Sequence, residues 1–233
     1  PDQVARLTSA IGVRGAETNL ATARAADVLI IATKPQHVAG VMEEIRPALD
    51  PSRHLVISIC AGVTTARIEA AAAVDHLPVI RVMPNTPALI GCGSAAIAAG
   101  SSVTDAQLQI ATDIFGSVGT SVILSEDKLD VVTGVSGSGP AYVFRFMEAL
   151  LEAATRHGLS PEEARVLVPQ MVLGAARMAI EGDRPLEELR NAVTTPGGTT
   201  AAGLAALEDG RFMELISACV GAATARSREL ASS

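Results

Sequence analysis

The loop Thr194-Thr195-Pro196-Gly197-Gly198-Thr199-Thr200 is the segment of this 233-residue chain whose residue types are best suited to bind an anion. Its two glycines allow a ligand to approach the backbone closely, and the helix predicted from Thr200 leaves unpaired amide groups facing the loop. A carboxylate would suit such a site as well as a phosphate, and the threonine hydroxyls add donors. The alternative is a well-capped turn between two helices, because Thr and Gly are common there.

The sequence does not indicate a histidine-based site. The four histidines, His37, His54, His76 and His157, stand far apart and form no HxH, HExxH or Cys-His pattern. A zinc site needs such spacing, so no metal is expected. The histidines are expected to be solvated or to cap helices.

Two glycine-rich segments match familiar motifs only in their letters. The GxSxG elbow of hydrolases needs a glycine two residues after Ser136, where this chain has Ser138. We expect a flexible hinge there, ahead of a helix that begins at Pro140. The run Gly91-Cys92-Gly93-Ser94-Ala95-Ala96 matches GxGxxA, but a strand-like stretch follows it, whereas a dinucleotide fingerprint opens a helix. Neither the hydrolase nor the fingerprint interpretation is supported.

Short apolar runs alternate with helical segments as far as Leu124. Runs such as Val28-Leu29-Ile30-Ile31 are apolar on both faces, as expected for strands that helices cover on both sides. The pattern predicts a parallel α/β sheet. The predicted strands span residues 11–15, 27–32, 54–60, 79–83, 94–99 and 120–124, and the predicted helices span residues 20–26, 36–49, 64–72 and 105–117.

Only helical patterns follow Leu124. One helix is predicted over residues 140–157, with Gly158 as its C-terminal stop. Ser160-Pro161-Glu162-Glu163 predicts the capping box of the next helix, and further helices are predicted over residues 186–192, 200–207 and 212–230. We therefore predict an α/β domain over residues 1–124 and an all-helical domain over residues 125–233.

Composition limits the partners and the compartment. Lys and Arg total 18 against 25 Asp and Glu, a net charge of −7, and this acidic balance argues against nucleic acid as the main partner. The apolar stretches fall short of the ~20 residues that a membrane helix requires, so no membrane is expected. The three cysteines, Cys60, Cys92 and Cys219, are odd in number and widely spaced, which favours a reducing cytoplasm.

Five short segments stand in a distinctive order along the chain. They are Ala32-Thr33-Lys34-Pro35-Gln36, Cys60-Ala61-Gly62-Val63-Thr64, Met83-Pro84-Asn85-Thr86-Pro87, Asp130-Val131-Val132-Thr133-Gly134 running into Val135-Ser136-Gly137-Ser138-Gly139-Pro140-Ala141-Tyr142, and Leu189-Arg190-Asn191-Ala192-Val193-Thr194-Thr195-Pro196-Gly197-Gly198-Thr199-Thr200-Ala201-Ala202-Gly203-Leu204. Together these segments resemble the pyrroline-5-carboxylate reductase family. Each is a weak signal alone, whereas the collinear set is specific.

The resemblance implies an enzyme that reduces the cyclic imine 1-pyrroline-5-carboxylate to L-proline, the final step of proline biosynthesis. The cofactor implied is NADPH, with NADH as the alternative. The resemblance also implies that residues 1–124 form a Rossmann-type dinucleotide-binding domain. Residues 125–233 then form a helical domain that binds substrate and joins two copies into a homodimer, which can assemble into larger rings.

The resemblance implies both the residues that bind the substrate and those that bind the cofactor. Thr195 and the backbone of Gly197, Gly198 and Thr199 would hold the substrate carboxylate, and Thr200 would be the catalytic residue that hydrogen-bonds the ring nitrogen. The cofactor-binding residues implied are Asn19, Ala32, Thr33, Lys34, Pro35, Ile59, Cys60, Ala61, Met83, Asn85, Thr86 and Pro87. These positions agree with the rule that open α/β sheets bind ligands at the carboxyl ends of strands.

Some of the family's elements do not stand in the chain as given. The first strand, the glycine-rich turn, the first helix and the second strand of the family would precede Pro1; they bind the pyrophosphate and distinguish NADPH from NADH. Three alternatives stay open. The chain could be a reductase that continues upstream, an inactive fragment that dimerises or binds a ligand, or a related reductase of another cyclic imine or of a β-hydroxyacid.

Overall fold

The computed structural model describes residues 2–232, with the side chains of residues 4–231. The chain divides into two compact units. The first, which we call the sheet unit, comprises the chain up to Gly137 together with the segment from Ala223 onward. The second, which we call the helical unit, runs over Ser138–Ala222.

A five-stranded sheet organises the sheet unit. Its strands lie in the order β1-β2-β3-β4-β5 and run over Val28–Ile31, Leu55–Ser58, Val79–Met83, Gly93–Ala99 and Gly119–Ile123. Three of the four strand pairs are parallel, and β3 and β4 are antiparallel. The prediction of a parallel sheet therefore holds except at this pair. A parallel pair needs a crossover of a dozen or more residues, which the short link between Met83 and Gly93 does not provide.

Helices cover both faces of the sheet. Val56 packs with Met42 and Ile68 on one face, whereas Ile57 packs with Ile80 and Phe115 on the other, as the alternation of strand side chains requires. The helices of this unit are α1 (Asp2–Ile11), α2 (Asn19–Ala25), α3 (Val38–Ile45), α4 (Thr65–Ala72), α5 (Asp105–Gly116) and α6 (Leu129–Val132). The threonine hydroxyls that cap α2, α4 and α5 explain where these helices begin; they belong to Thr18, Thr64 and Thr104.

The first predicted strand, over residues 11–15, is wrong. Ile11 is the last residue of α1, and Gly12 ends that helix with a left-handed φ of +71°. The Gly12 amide donates to the carbonyl of Thr8, which closes the last turn of the helix. Within the described residues, no strand pairs with this segment.

The segment predicted to be a flexible hinge ahead of Pro140 is helical in the structure. Residues Thr133–Gly137 form a π-helical turn that follows α6, and α7 begins at Gly139. The hydroxyls of Thr133 and Ser136 donate to the carbonyls of Leu129 and Val132, so the segment is a hydrogen-bonded helical turn. Such a turn adds one residue to a helix and is frequent at functional sites.

The second half of the chain is helical, as predicted. Its helices are α7 (Gly139–Arg156), α8 (Pro161–Glu181), α9 (Leu186–Ala192), α10 (Thr199–Asp209) and α11 (Phe212–Ser232), whose last residues belong to the sheet unit. The capping box is present: the Ser160 hydroxyl accepts from the Glu163 amide, and the Ser160 amide donates to the Glu163 carboxylate. Within residues 2–232, no helix is both long and apolar enough to cross a bilayer.

Candidate active site

The carboxyl ends of three strands meet at one edge of the sheet. Ile31 pairs with Ser58, and Ser58 pairs with Arg81, so β1, β2 and β3 end side by side. The segments that follow these ends carry most of the residues predicted to bind the cofactor. They are Ala32, Thr33, Lys34 and Pro35 after β1, Ile59, Cys60 and Ala61 after β2, and Met83, Asn85, Thr86 and Pro87 at and after β3.

Cys60 fastens the turn after β1 to the turn after β2. Its buried thiol lies 3.1 Å from the carbonyl of Thr33 and 3.4 Å from that of Ile31, and its one hydrogen can be shared between them. The side chain is therefore used inside the protein, where it fixes the turn that presents Lys34. Lys34 itself is exposed.

Asn19 lies beside the turn after β1. It is the first residue of α2, and its side-chain nitrogen donates to the Glu44 carboxylate at 2.7 Å. Asn19, Ala32 and Thr33 line one cavity of about 130 Å³ that runs along β1. The structure thus brings Asn19 together with Ala32 and Thr33, which the sequence places in a different segment.

Asn85 joins three segments of the sheet unit. Its side-chain oxygen accepts from the amide of Ser94 at 2.9 Å, and its side-chain nitrogen donates to the carbonyl of Ser136 at 3.1 Å. Asn85 therefore connects the end of β3 to the start of β4 and to the π-helical turn. A Cβ at Gly137 would lie 2.6 Å from the terminal methyl of Met83, so the same turn also lies close to Met83.

The Thr194–Thr200 loop lies in the helical unit and forms a tight turn before α10. The Gly198 amide donates to the carbonyl of Thr195 at 2.9 Å, and Gly197 has a φ of +70°. Proline at the second position and a left-handed glycine at the third are typical of a type II turn. A Cβ at Gly198 would overlap the Thr195 hydroxyl, so a larger residue there would displace that side chain or shift the turn.

The N-terminus of α10 has no side-chain cap. Gly198 is the N-cap residue, and the first backbone bond of the helix runs from the Ala202 amide to the Gly198 carbonyl. The amides of Thr199, Thr200 and Ala201 are thus the groups that a helix start leaves without an intrahelical acceptor. The Gly198 amide, predicted to bind the substrate, already bonds Thr195 within the turn.

Among the histidines, His37 lies in the turn after β1, where its amide donates to the carbonyl of Lys34. His54 is buried, contrary to the expectation of a solvated or capping residue. Its Nδ1 lies 3.0 Å from the Asp50 amide nitrogen, and its Nε2 lies 3.0 Å from the carbonyl of Ala23, so both ring nitrogens have partners inside the protein. Among the described residues, no group of three or more His, Cys, Asp or Glu side chains could hold a metal ion.

Sequence reasoning missed several polar partners. Ser136 stood in a rejected hydrolase motif and in one of the five segments without a role, although its carbonyl accepts from Asn85. Arg81 was not singled out, although an arginine inside the apolar run Val79-Ile80-Arg81-Val82-Met83 is itself a signal of a buried partner. Asp130 stood in one of the five segments without a role.

The comparisons with known proteins cover both halves of the chain. Residues 126–230 match the model described as pyrroline-5-carboxylate reductase dimerisation, and residues 1–62 match the model described as NADP oxidoreductase coenzyme F420-dependent. The pyrroline-5-carboxylate reductase of Pseudomonas aeruginosa is 38% identical over 231 residues, which are 99% of this chain and 84% of that protein. The chain belongs to the pyrroline-5-carboxylate reductase family.

Solved structures agree with this membership. A pyrroline-5-carboxylate reductase from Coxiella burnetii superposes with a TM-score of 0.93 at 39% identity, covering 99% of this chain and 85% of that one. The Plasmodium falciparum pyrroline carboxylate reductase with NADP bound gives a TM-score of 0.85 at 34% identity, covering 93% and 81%. The Rossmann-type domain and the helical dimerisation domain are thus those of a pyrroline-5-carboxylate reductase, an NAD(P)-dependent oxidoreductase of proline biosynthesis.

Proposed function

We propose that this protein reduces 1-pyrroline-5-carboxylate to L-proline with NADPH, the final step of proline biosynthesis. The observation that supports the proposal is that one chain of this family holds two candidate sites. One is the sheet edge at which three strands end, and the other is the glycine turn before the uncapped start of α10.

The helical unit is proposed to bind the substrate carboxylate. The amides of Thr199 and Thr200 and the hydroxyl of Thr195 stand at the positive end of α10, where an anion is favoured and charge-assisted bonds are strong. Gly197 leaves open space above the backbone, because nothing lies within 4 Å of the position of its missing Cβ. We assign the Thr200 hydroxyl to the ring nitrogen as the catalytic contact.

The sheet unit is proposed to hold the dinucleotide. We assign Asn19 to the adenosine side, where it lines one cavity with Ala32 and Thr33, and Lys34 and Pro35 continue along the same edge. Ile59, Cys60 and Ala61 form the middle of the edge, and Met83, Asn85, Thr86 and Pro87 its nicotinamide side. When bound, the cofactor supplies the hydride that reduces the C=N bond.

Little further chemistry is required of the protein. The imine can enter protonated, so the residues need to orient the ring and stabilise its charge rather than transfer a proton through a dyad. This agrees with the separation of the four histidines along the chain. NADPH is preferred in our proposal over NADH, and the NADP-bound Plasmodium falciparum relative supports that preference.

We further propose that two helical units form a homodimer, and that dimers assemble into larger rings. In Ser138–Ala222, all of whose residues are described, only Ala164 and Val168 are buried. Large apolar side chains such as Ile180 at 82% and Phe144 at 60% exposure need a covering surface. The three free cysteines, together with the family's biosynthetic role, support a reducing cytoplasmic location.

The substrate proposal is tested by competition. Protein expressed from its complete reading frame is given NADPH or NADH with 1-pyrroline-5-carboxylate or with a six-membered cyclic imino acid, and loss of reduced cofactor is followed. Oxidation of a β-hydroxyacid is measured with the oxidised cofactors. We expect the highest kcat/KM for 1-pyrroline-5-carboxylate with NADPH. A higher value for the larger ring or for the hydroxyacid would contradict the substrate assignment.

A further inference from the structure

A buried arginine stands in the middle of β3. The Arg81 side chain is only 3% exposed, and its neighbours Ile80 and Val82 are buried apolar residues. Its Nη1 lies 3.5 Å from Glu126 Oε1, and its Nη2 lies 3.9 Å from Asp130 Oδ1. A buried charge needs such partners, because it is costly to remove from water.

The two carboxylates bind further elements. Glu126 accepts from the amide and from the hydroxyl of Thr65, both at 2.8 Å, and so holds the start of α4. Asp130, at the start of α6, accepts from the hydroxyl of Ser227 on α11 at 2.7 Å. Ser227 is itself 3% exposed. The network therefore joins β3 to three helices of the sheet unit.

Stability alone does not explain this network of buried charges and hydrogen bonds. Within the network, Arg81 Nη2 is buried without a hydrogen-bond partner among the described residues. Replacing a buried ion pair by apolar residues is often neutral or stabilising, so imperfectly satisfied charges point to a need for geometry.

The positions of these residues show what geometry they control. Arg81 precedes Met83 and Asn85 on the same strand end, and Asp130 precedes the π-helical turn whose Ser136 carbonyl holds Asn85. The Asp130–Ser227 bond also ties together the two chain segments that connect to the helical unit, after Gly137 and before Ala223.

We propose that Arg81, Asp130 and Ser227 are positioning residues for the reduction. They hold the Met83–Asn85 strand end, the π-helical turn and the end of α11 in one fixed arrangement at the nicotinamide side of the edge. The proposal rests on the proposed function. A displacement of about 1 Å far from the reacting atoms can cost about a hundredfold in rate, so loosening this arrangement is expected to slow hydride transfer.

The test compares Ser227→Ala, Asp130→Asn and the double variant in the protein expressed from its complete reading frame. Each single variant should lower kcat about tenfold, with KM for both substrates changed less than about threefold. The primary isotope effect with NADPH deuterated at the transferred position should rise as hydride transfer becomes more rate-limiting. Asp130→Asn removes the charge that faces Arg81, and Ser227→Ala removes the bond to α11. Because both changes loosen the same arrangement, the loss of kcat in the double variant should be smaller than the product of the two single losses.

Ser117→Ala is the matched control. It removes a serine bond of the same 2.7 Å length, to the carbonyl of Ile114, at an exposed site of the sheet unit. Its kcat and isotope effect should equal those of the wild type. Equal values for Ser227→Ala would overturn the proposal, and so would a lower kcat or melting temperature with an unchanged isotope effect, which is the mark of a merely structural bond.

Hydrogen exchange separates this inference from the proposed function. If the wild type shows no turnover, the proposed function fails. The rates of amide hydrogen exchange then decide whether Ser227 holds these segments in place. Ser227→Ala should speed amide exchange at Thr133–Gly137 and near Asn85 about tenfold, whereas Ser117→Ala should not. Unchanged exchange in these segments would overturn the inference.

Discussion

The sheet unit and the helical unit differ in how much of themselves they bury. The sheet unit has apolar clusters on both faces of its sheet, with Val56, Ile57, Ile68 and Ile80 fully buried. The helical unit has long helices but buries only Ala164 and Val168 among its residues, all of which are described. One unit closes its own core, and the other presents apolar faces that a second copy is proposed to cover.

This difference divides the chemistry as well. The sheet unit carries the rigid strand ends, where Cys60 and Asn85 fasten loops by side-chain hydrogen bonds. The helical unit carries the glycine turn and the uncapped helix start. We infer that the proposed cofactor site depends on one chain's core, whereas the proposed substrate loop depends on helices that dimerisation must stabilise.

Charged substitutions on the exposed faces of the helical unit should have the largest effect, which is loss of the dimer. The double variant Phe144→Asp/Ile180→Asp places two carboxylates on surfaces proposed to be buried in the dimer. Burying these unpaired charges costs several kcal/mol, and each increment of about 1.4 kcal/mol raises the dissociation constant of the dimer tenfold. Light scattering should show a monomer at concentrations where the wild type is a dimer.

The matched control places the same charges on the sheet unit. Leu89 and Val122 are 89% and 51% exposed, and Leu89→Asp/Val122→Asp should leave the oligomeric state unchanged. A dimer in the first variant, or a monomer in the control, would break the distinction between the two units.

Truncation of a core side chain should have the next largest effect. Ile57→Ala removes a fully buried side chain of β2 and should lower the free energy of unfolding of the sheet unit by about 2–5 kcal/mol. Leu167→Ala, at an exposed position of α8, should instead weaken the dimer and leave the sheet-unit transition in place. Calorimetry at two protein concentrations separates the effects, because only a dimer transition depends on concentration. The reverse pattern would contradict the account.

A single methyl group in the substrate loop should have an intermediate effect. In Gly198→Ala the new Cβ would overlap the Thr195 hydroxyl, so that side chain or the turn must shift and KM for the imine should rise about tenfold. Gly40→Ala is the control, because Gly40 lies within α3 of the sheet unit with open space at its Cβ; it should stabilise that unit by about 0.5–1 kcal/mol. An unchanged KM in Gly198→Ala would argue against the loop as the carboxylate site.

The smallest expected effect is a pH dependence within the sheet unit. Burial, and then the nearby Glu126 carboxylate, raise the pKa of Glu69 above its ordinary value. The folded chain therefore holds this proton more tightly than the unfolded chain, so the contribution to stability is present at low pH and is lost as pH rises through the raised pKa. Glu69→Gln should be more stable than the wild type at neutral pH and should flatten the pH profile measured by urea unfolding.

Glu148→Gln is the control for this profile. Glu148 pairs with Arg145 on the exposed surface of α7, where such pairs contribute little. Its pH profile should follow that of the wild type. A wild-type profile that rises with pH in this range, or one unchanged by Glu69→Gln, would contradict the origin assigned to the effect.

Local patterns were enough to predict most of the fold. The runs around Val28, Leu55 and Val79 form strands because they are apolar on both faces, and the capping box at Ser160 starts α8 as expected. The segment at residues 11–15 failed because a strand requires a pairing partner, which no local pattern reveals. The antiparallel β4 could have been predicted, since no helix was predicted between Met83 and Ser94.

The residue types of the proposed site stand out in the sequence, whereas the bonds that the structure shows around it do not. Glycines and threonines before α10 indicate an anion site through local backbone geometry. The bonds from Asn85 to Ser136 and from Asp130 to Ser227 join residues far apart in the chain, so only the tertiary structure could show them.

The central claim is that Thr200 promotes reduction of 1-pyrroline-5-carboxylate. Its most direct test is kcat with NADPH for Thr200→Val, which keeps the shape of the side chain and removes the hydroxyl, with light scattering to confirm the dimer. We predict that kcat falls at least tenfold, whereas Thr155→Val, which removes an exposed helical hydroxyl bonded to Leu151, leaves kcat unchanged. A Thr200→Val dimer that turns over at the wild-type rate would contradict the account.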